Sequence, residues 1–434
     1  TIICKNFLIK IENQFHFSIN YINNLVMKKN FYDLVIFGSG LSAKAMSLVA
    51  RNAGLSFKII TDKNFGNITN DDTRSLALSV ASKKMFQVLG ADIKTEAVKK
   101  MVVIEGGLGD EKIKSRLTFD RDLVDEDIAY IAEYSVIEKS LDKALKLKDI
   151  EFTRDEVIDI QKESNHTKIN FKNKKSFLCG AVIFTEVLNS ELQKIYNVKY
   201  NFFEYGQTAI SATLRHSKSH KGYAFQFFQK NGPLALLPMN NKRGNNYSSL
   251  VWTEKTDNIS SLLLSKKSLE ESLNNLCSDY LGEISISKGP SSFILKKLTG
   301  IKSISNSAIF VGDALRAMHP MAGQAWNQSL RDIAYIADAI AESQKLGLDL
   351  FQCPSISLFD KKRKIETEAL INSIGFLNSI YDADTSIAKG LRRNIMKLAD
   401  NYKPLKLFLL NEASGGVLTR PNLLNGLKPG SNII

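Results

Sequence analysis

Residues 31–61 carry the pattern that most restricts what this chain can become. The run Phe31–Phe37 (FYDLVIF) is short and apolar, as in a strand buried on both faces. Gly38-Ser39-Gly40-Leu41-Ser42-Ala43 follows, and a helical pattern runs from about Leu41 to Asn52, with Gly54 placed as its C-cap residue. Phe57 to Thr61 reads as a second strand. This strand–turn–helix–strand unit matches the dinucleotide fingerprint G-x-G-x-x-G/A, with Ala43 in the third position. Gly38 permits the tight turn, Gly40 lets a pyrophosphate approach the backbone, and the small Ala43 lets helix and strand pack closely. The fingerprint expects an acid at the end of the second strand to hold an adenosine ribose. By register that position is Thr61, with Asp62 next.

A second turn stands nearly three hundred positions later. The apolar run Ser307–Val311 leads into Gly312-Asp313, a loop with His319-Pro320, then Gly323-Gln324 and a helical pattern ending in Arg331-Asp332. In physical terms this is a strand, an acid, a Pro-bent loop and a helix N-terminus. The acid can accept hydrogen bonds from a polyol. The free N–H groups and positive end of the helix can hold an electron-rich ring edge. A flavin presents both, in its ribityl hydroxyls and its reduced ring.

Residues 311–332 (VGDALRAMHPMAGQAWNQSLRD) resemble the second FAD-binding motif of flavin-dependent aromatic hydroxylases. They look most like the branch that hydroxylates coenzyme Q (ubiquinone) precursors, where the motif reads G-D-A-A-H-x-x-H-P-x-A-G-Q-G-x-N-x-G-x-R-D. Leu315-Arg316 replaces the usual small residue and His, and Ala325 stands where that family has Gly. Asp71–Leu78 resembles the family's D-x-R-x-x-A-L segment, which implies that Arg74 reaches the FAD pyrophosphate as a charge-assisted donor. Residues 129–145 resemble its crossover helix, and Ser135 falls where relatives touch the flavin linker. At Thr185–Ser190 relatives carry A-D-G-x-x-S; here the acid is Glu186 and Val187 replaces the Gly, which implies an altered turn. Tyr205–Ala209, Gly232–Pro238 and Val251–Thr253 are similar to the branch's substrate domain, and Phe359–Arg363 to its aromatic-x-x-x-R signature.

The resemblance implies an α/β fold: an FAD-binding Rossmann-like domain, an inserted, mostly antiparallel β-sheet substrate domain and a C-terminal helical region. The expected divisions are a leader (1–26) foreign to the fold, with Met27 as the natural start; the first part of the FAD domain (27–195); the substrate domain (196–300); the second part of the FAD domain (301–345); and helices from 346 to 434. Pro238 and Trp252 suit either core packing or a substrate wall. The stretch Pro404–Gly426, with Lys403 and Lys406 beside its apolar residues, suits either terminal-helix packing or a basic patch on a membrane surface.

Composition excludes more than it selects. At 434 residues, with 44% hydrophobic and 24% charged residues, the chain is ordinary for a globular protein. No run approaches the roughly 18 apolar residues of a membrane span. The net charge of +13 comes from Lys spread along the chain, which argues for a solvated surface rather than a nucleic-acid site, with modest attraction to anionic lipid. Cys4, Cys179, Cys277 and Cys353 form no C-x-x-C pair, so neither a metal site nor a disulfide framework is expected, and a reducing compartment is.

The implied activity is an FAD-dependent monooxygenase that hydroxylates the ring of a polyprenylphenol in ubiquinone biosynthesis, using NAD(P)H and O2. The cofactor carries the hard chemistry, and the sequence accordingly offers no hydrolytic triad, paired carboxylates or metal ligands. The expected FAD-binding residues are Gly38, Gly40, Ala43, Thr61, Asp62, Arg74, Ser135, Gly312, Asp313, Gly323, Gln324, Ala325 and Asn327. His319 serves as proton shuttle or loop anchor, and Pro320 presses on the ring face. His16, His166, His216 and His220 fall in no motif and are expected at the surface. A single dinucleotide fingerprint leaves NAD(P)H no dedicated domain, and the resemblance implies transient docking on the FAD-bound surface, or electrons from another source. The expected setting is cytoplasmic, peripheral on the inner membrane, beside other quinone-biosynthesis proteins. Two further readings stay open: a flavin monooxygenase for another apolar aromatic or isoprenoid, and a non-catalytic flavin-binding subunit, the latter suggested by Thr61, Val187 and Ala325.

Overall fold

The computed structural model describes residues 30–61, 72–317 and 325–431, apart from positions 107, 109–111, 114, 147–149, 151, 164–165, 230, 243, 301, 383–385 and 415–419. The leader, Asp62, His319, Pro320, Gly323 and Gln324 lie outside the described residues.

The first strand, β1 (Phe31–Phe37), runs parallel to β2 (Phe57–Ile60) on one side and to β3 (Phe177–Phe184) on the other. Strand Ala308–Phe310, reached after the whole substrate domain, adds in parallel beside β3. The apolar character of β1 follows from its double burial. Leu34 and Ile36 enter one core and Val35 the other. The same split holds in β3, where Ala181 and Ile183 face the first core and Val182 and Phe184 the second.

Helix α1 (Leu41–Asn52) packs over this sheet, and α2 (Tyr134–Leu145) packs on α1. Lys44 of α1 is fully buried and lies 2.8 Å from Glu138 and 2.6 Å from Asp142 of α2, so a charge that burial would penalise is held by two carboxylates. The segment that resembles a crossover helix is a strand, Ala129–Glu133, followed by α2.

The substrate sheet has eight strands. Its two longest strands, β4 (Tyr200–His216) and β5 (Ile284–Gly300), pair antiparallel, and β4 pairs on its other side with Asn245–Lys255. The sheet extends beyond the 196–300 segment. Lys100–Glu105 and Ser115–Asp120 from the first part of the chain extend it through a parallel pairing with Tyr223–Gln229, and Arg316–Ala317 closes the other edge. One face, carrying Ile210, Ala212, Leu214, Leu234, Leu236, Leu250 and Trp252, buries the leucines of α3 (Lys266–Leu281). Trp252, 4% exposed, is therefore core packing and not a wall of the site. By strand alternation the other face presents Ala209, Ser211, Ser249, Val251 and Thr253.

The C-terminal part is helical: α4 (Ala325–Leu346), α5 (Pro354–Asp382), α6 (Ser386–Asn401) and α7 (Lys403–Ala413). Met396 and Ala399 of α6 and Leu410 of α7 pack against Val103, Leu117 and Phe119 at the far end of the substrate sheet. Among the described residues, no helix is long and apolar enough to cross a membrane.

Two histidines expected at the surface are buried. His216 and His220 are each 5% exposed. His216 Nδ1–H donates to the Lys218 carbonyl (2.7 Å), and its Nε2 accepts from the Ser248 hydroxyl (2.9 Å). His220 Nε2–H donates to the Met239 carbonyl (3.0 Å), while Nδ1 accepts from the Gly222 N–H (2.9 Å). Every ring nitrogen has a partner, which is what lets two imidazoles sit inside the sheet's end.

Candidate functional site

Three parallel strands end side by side, and their C-terminal turns build the site, as expected at the carboxyl edge of such a sheet. β1 ends in Gly38, β3 in Thr185-Glu186, and Ala308–Phe310 in Gly312-Asp313. Gly38 has φ +131°, and a Cβ there would collide with Thr185 Oγ1. Gly312 has φ +60°, and a Cβ on it would stand 2.9 Å from Ser42 Oγ and 3.3 Å from the Thr185 carbonyl. Both glycines are needed on two counts, the left-handed backbone and the absence of space. The two glycine-bearing turns therefore meet, with Thr185 between them.

The fingerprint loop is held by an acid. Glu186 Oε1 accepts from Ser39 N–H (2.6 Å), Ser39 Oγ–H (2.9 Å) and Gly40 N–H (3.1 Å). Replacing the family's Gly with Val187 leaves this contact in place, because Val187 points outward at 45% exposure while Glu186 turns inward to the loop. Beyond Gly40 the first turn of α1 offers further N–H groups at its positive end, the physical basis of a pyrophosphate seat. Ala43 is completely buried, consistent with close contact of helix and sheet. Thr61 is 4% exposed and its N–H donates to the Thr153 carbonyl (3.1 Å) at the end of β2.

Arg74 stands at the junction of the two sheets. Its neighbours bind the underside of the substrate sheet: Thr73 Oγ1 pairs with Ser211 Oγ (2.5 Å), Ser75 Oγ with Ser249 Oγ (2.7 Å), and Lys288 Nζ donates to the Asp72 carbonyl (2.6 Å). Arg74 forks onto the Asp72 carboxylate (Nε to Oδ1 3.0 Å, Nη2 to Oδ2 2.5 Å). Its guanidinium lies 4.0 Å from the Tyr134 ring centre and 5.9 Å from that of Phe293. Burial would raise the Asp72 pKa, but the hydrogen bonds and charge of Arg74 outweigh it and hold the carboxyl below its usual value. Burial likewise pushes the Tyr134 phenol up to about 12, with Arg74 opposing and the charges of Glu138, Asp72 and Asp313 adding to the rise. Arg74, Tyr134 and Asp313 thus share one electrostatic neighbourhood. Tyr134 N–H donates to the Arg74 carbonyl (2.9 Å), which places Ser135, the next residue of α2, beside the same spot.

The remaining expected residues divide. Asp313 is exposed at the turn, as an acid meeting a polyol must be. Ala325 opens α4. Asn327 is buried and ties α4 to residues 77–82: its Oδ1 accepts from Ser79 N–H (2.9 Å) and Ser82 Oγ–H (2.8 Å), and its Nδ2 donates to the Ala77 carbonyl (2.8 Å). Glu186, Tyr134 and Asp72 were not among the expected site residues. The alignment of the altered turn with A-D-G was the one signal pointing to Glu186.

These residues fit FAD on the grounds of the glycine cradle, the helix N-terminus and the acid at the second turn. The FAD binding domain family matches residues 194–345. The ubiquinone hydroxylase UbiL of Rhodospirillum rubrum is 30% identical over 241 residues, 55% of either chain. The mitochondrial ubiquinone biosynthesis monooxygenase COQ6 of Dictyostelium discoideum is 23% identical, covering 95% of this chain and 97% of that one. Among solved structures, p-nitrophenol 4-monooxygenase PnpA from Pseudomonas putida superposes with a TM-score of 0.72 at 13% identity, over 90% of this chain and 100% of that one. Klebsiella pneumoniae HpxO, complexed with FAD and uric acid, reaches 0.67 at 9% identity, over 89% and 97%. The chain thus carries an FAD-binding domain and is similar to FAD-dependent monooxygenases, the ubiquinone hydroxylases among them.

Proposed function

We propose that this protein hydroxylates the aromatic ring of a polyprenylphenol intermediate of ubiquinone biosynthesis, taking oxygen from O2 and electrons from transiently docked NAD(P)H. The observation that carries this reading is Phe293. Its ring, 40% exposed, borders Arg74 on the sheet face that also presents Ala209. An apolar edge opening beside the arginine of the cofactor site suits a phenol that trails an isoprenoid tail. The named activities of the Rhodospirillum and Dictyostelium relatives support the same substrate class.

Bound FAD supplies the activation of O2 and the transfer of hydroxyl to the ring. The chain supplies placement. The Gly38–Gly40 loop and the start of α1 hold the pyrophosphate, Arg74 donates to it, and Asp313 accepts from the ribityl hydroxyls. By the resemblance of their motif, Gly323, Gln324 and Ala325 would hold the flavin ring and Pro320 would border it. His319 would serve as proton shuttle or loop anchor. The small and hydroxylic face of the substrate sheet closes the site from water.

Contact with lipid fits α6 and α7. Leu398, Tyr402 and Phe408 are 59%, 55% and 54% exposed, with Lys397 and Lys403 exposed beside them. These exposed side chains support a peripheral position on the inner membrane, near other quinone-biosynthesis proteins.

Supplying the purified protein with FAD, NAD(P)H and polyprenylphenol precursors tests the reading, together with complementation of strains that each lack one ring-hydroxylation step. Hydroxylated quinone precursors and growth of one strain are expected. Reductant consumption without hydroxylated product, and growth of none, would overturn it.

A further inference from the structure

The apolar edge at Phe293 continues along the sheet. Asn245–Lys255 accompanies β4 only from Gln207 onward, and before that point β4 and β5 run on together as a ribbon. In this ribbon Phe203 stands opposite Lys297, Glu204 opposite Lys296 and Phe202 opposite Leu298. Between Glu204 and Thr208 the register shifts, and residues 205–207 of β4 stand against Leu295 alone. The bulge lies on β4, with Gly206 in the left-handed region at φ +65°.

The faces can be followed along β5, which carries no extra residue here. Successive side chains of a strand alternate, so Phe293, Leu295 and Lys297 share one face. Residues directly opposite in an antiparallel pair point the same way, which puts Phe203 on that face too, together with Ala209. Tyr205, two positions on, turns its ring edge to Phe203 at 5.4 Å between centres. The result is an apolar stripe of Phe293, Leu295, Tyr205 and Phe203 on the face that Thr73 and Arg74 border. Phe293 and Phe203 are 40% and 58% exposed, and Leu295 forms the floor at 9%. Phe202 and Ile294, equally exposed, fall on the opposite face.

The stripe begins 5.9 Å from the Arg74 guanidinium, at Phe293, and its first charged residue is Lys297 at the far end. Four strand residues separate the two, about 13 Å at the usual rise. That is longer than a single aromatic ring and offers it no polar anchor along the way. A contiguous apolar surface that opens from a site is the mark of a ligand that is itself apolar and long.

We propose that Phe203, Tyr205 and Leu295 form a lane for the isoprenoid tail of the substrate, leading from Phe293 toward Lys297. The assignment rests on the polyprenylphenol reading above and adds to it the side chains that recognise the tail.

The test uses FAD-loaded protein and two probes, a phenol carrying a farnesyl chain and the same phenol without it, bound in equilibrium dialysis. The quantity read is the ratio of their dissociation constants. In the parent the prenylated phenol binds tighter by about a hundredfold or more, the scale of a buried hydrocarbon chain. Phe203→Ser and Tyr205→Ser each cut this ratio by about tenfold. Phe202→Ser, an equally exposed neighbour on the other face, keeps the parent's ratio. A parent that binds the two phenols alike would sink the polyprenylphenol reading and the lane with it. A parent that prefers the prenylated phenol, with the ratio kept in Phe203→Ser and Tyr205→Ser or lost equally in Phe202→Ser, would overturn the lane alone.

Discussion

Ser39 gives both its N–H and its hydroxyl to the carboxylate of Glu186, at 2.6 and 2.9 Å, across 147 positions of sequence. The loop that would seat a pyrophosphate is thus shaped by a carboxylate from the neighbouring strand end. Replacing Glu186 with Ala leaves the Ser39 and Gly40 N–H groups without this acceptor. A hydrogen bond to a charged group contributes about 1.5–3 kcal/mol, so denaturant unfolding of the FAD-free protein is expected to show a loss of that order. Saturating FAD brings an anion to the same loop end, and the deficit shrinks in the loaded protein. Equal deficits with and without FAD would count against the shared role.

His216 makes stability depend on pH. Burial lowers its pKa from 6.5, with the neighbouring His220 adding to the fall and the bond to the Lys218 carbonyl opposing it. Unfolded, the ring takes up a proton near pH 6.5, whereas folded it stays neutral to lower pH. The unfolded state therefore binds more protons between the two values, and stability falls as the pH drops below 6.5. Melting temperatures from pH 8 to pH 5 should decline for the parent and decline less for His216→Gln. Parallel curves would remove His216 from the account.

Trp252 separates packing from substrate contact. Its ring lies in the core against α3, and its Nε1 is buried without a partner. Trp252→Phe is expected to cost under about 1.5 kcal/mol and to leave KM for a phenolic substrate unchanged, while Trp252→Ala costs about 3–5 kcal/mol. A KM change in Trp252→Phe at unchanged stability would return this residue to the site.

Local signals explain what could be read from the chain itself. β1, its glycine turn and α1 are coded by adjacent residues, and the bounds Phe31–Phe37 and Leu41–Asn52 follow from an apolar run, two glycines and Gly54. Gly312-Asp313 was legible for the same reason. What escaped depends on distant partners. The parallel pairing of Lys100–Glu105 with Tyr223–Gln229 joins segments more than a hundred residues apart, and no local period announces it. His216 and His220 look like surface residues because their carbonyl and hydroxyl partners come from other strands. Glu186 was hidden by Val187: the missing glycine suggested a lost turn, yet the longer acidic side chain keeps its hold on the loop. Asn327 fell within a cofactor motif but carries a contact between α4 and residues 77–82, a role its motif position does not reveal.

The central claim is that the turns at Gly38 and Gly312 close around one FAD. Titration of the FAD-free protein with FAD, followed by quenching of flavin fluorescence, tests it most directly. The parent should bind one equivalent, and Gly312→Val, with a Cβ 2.9 Å from Ser42 Oγ and a left-handed backbone, should bind at least tenfold more weakly at an unchanged far-UV spectrum. Equal affinity of the two proteins, or no FAD bound by the parent, would contradict the account.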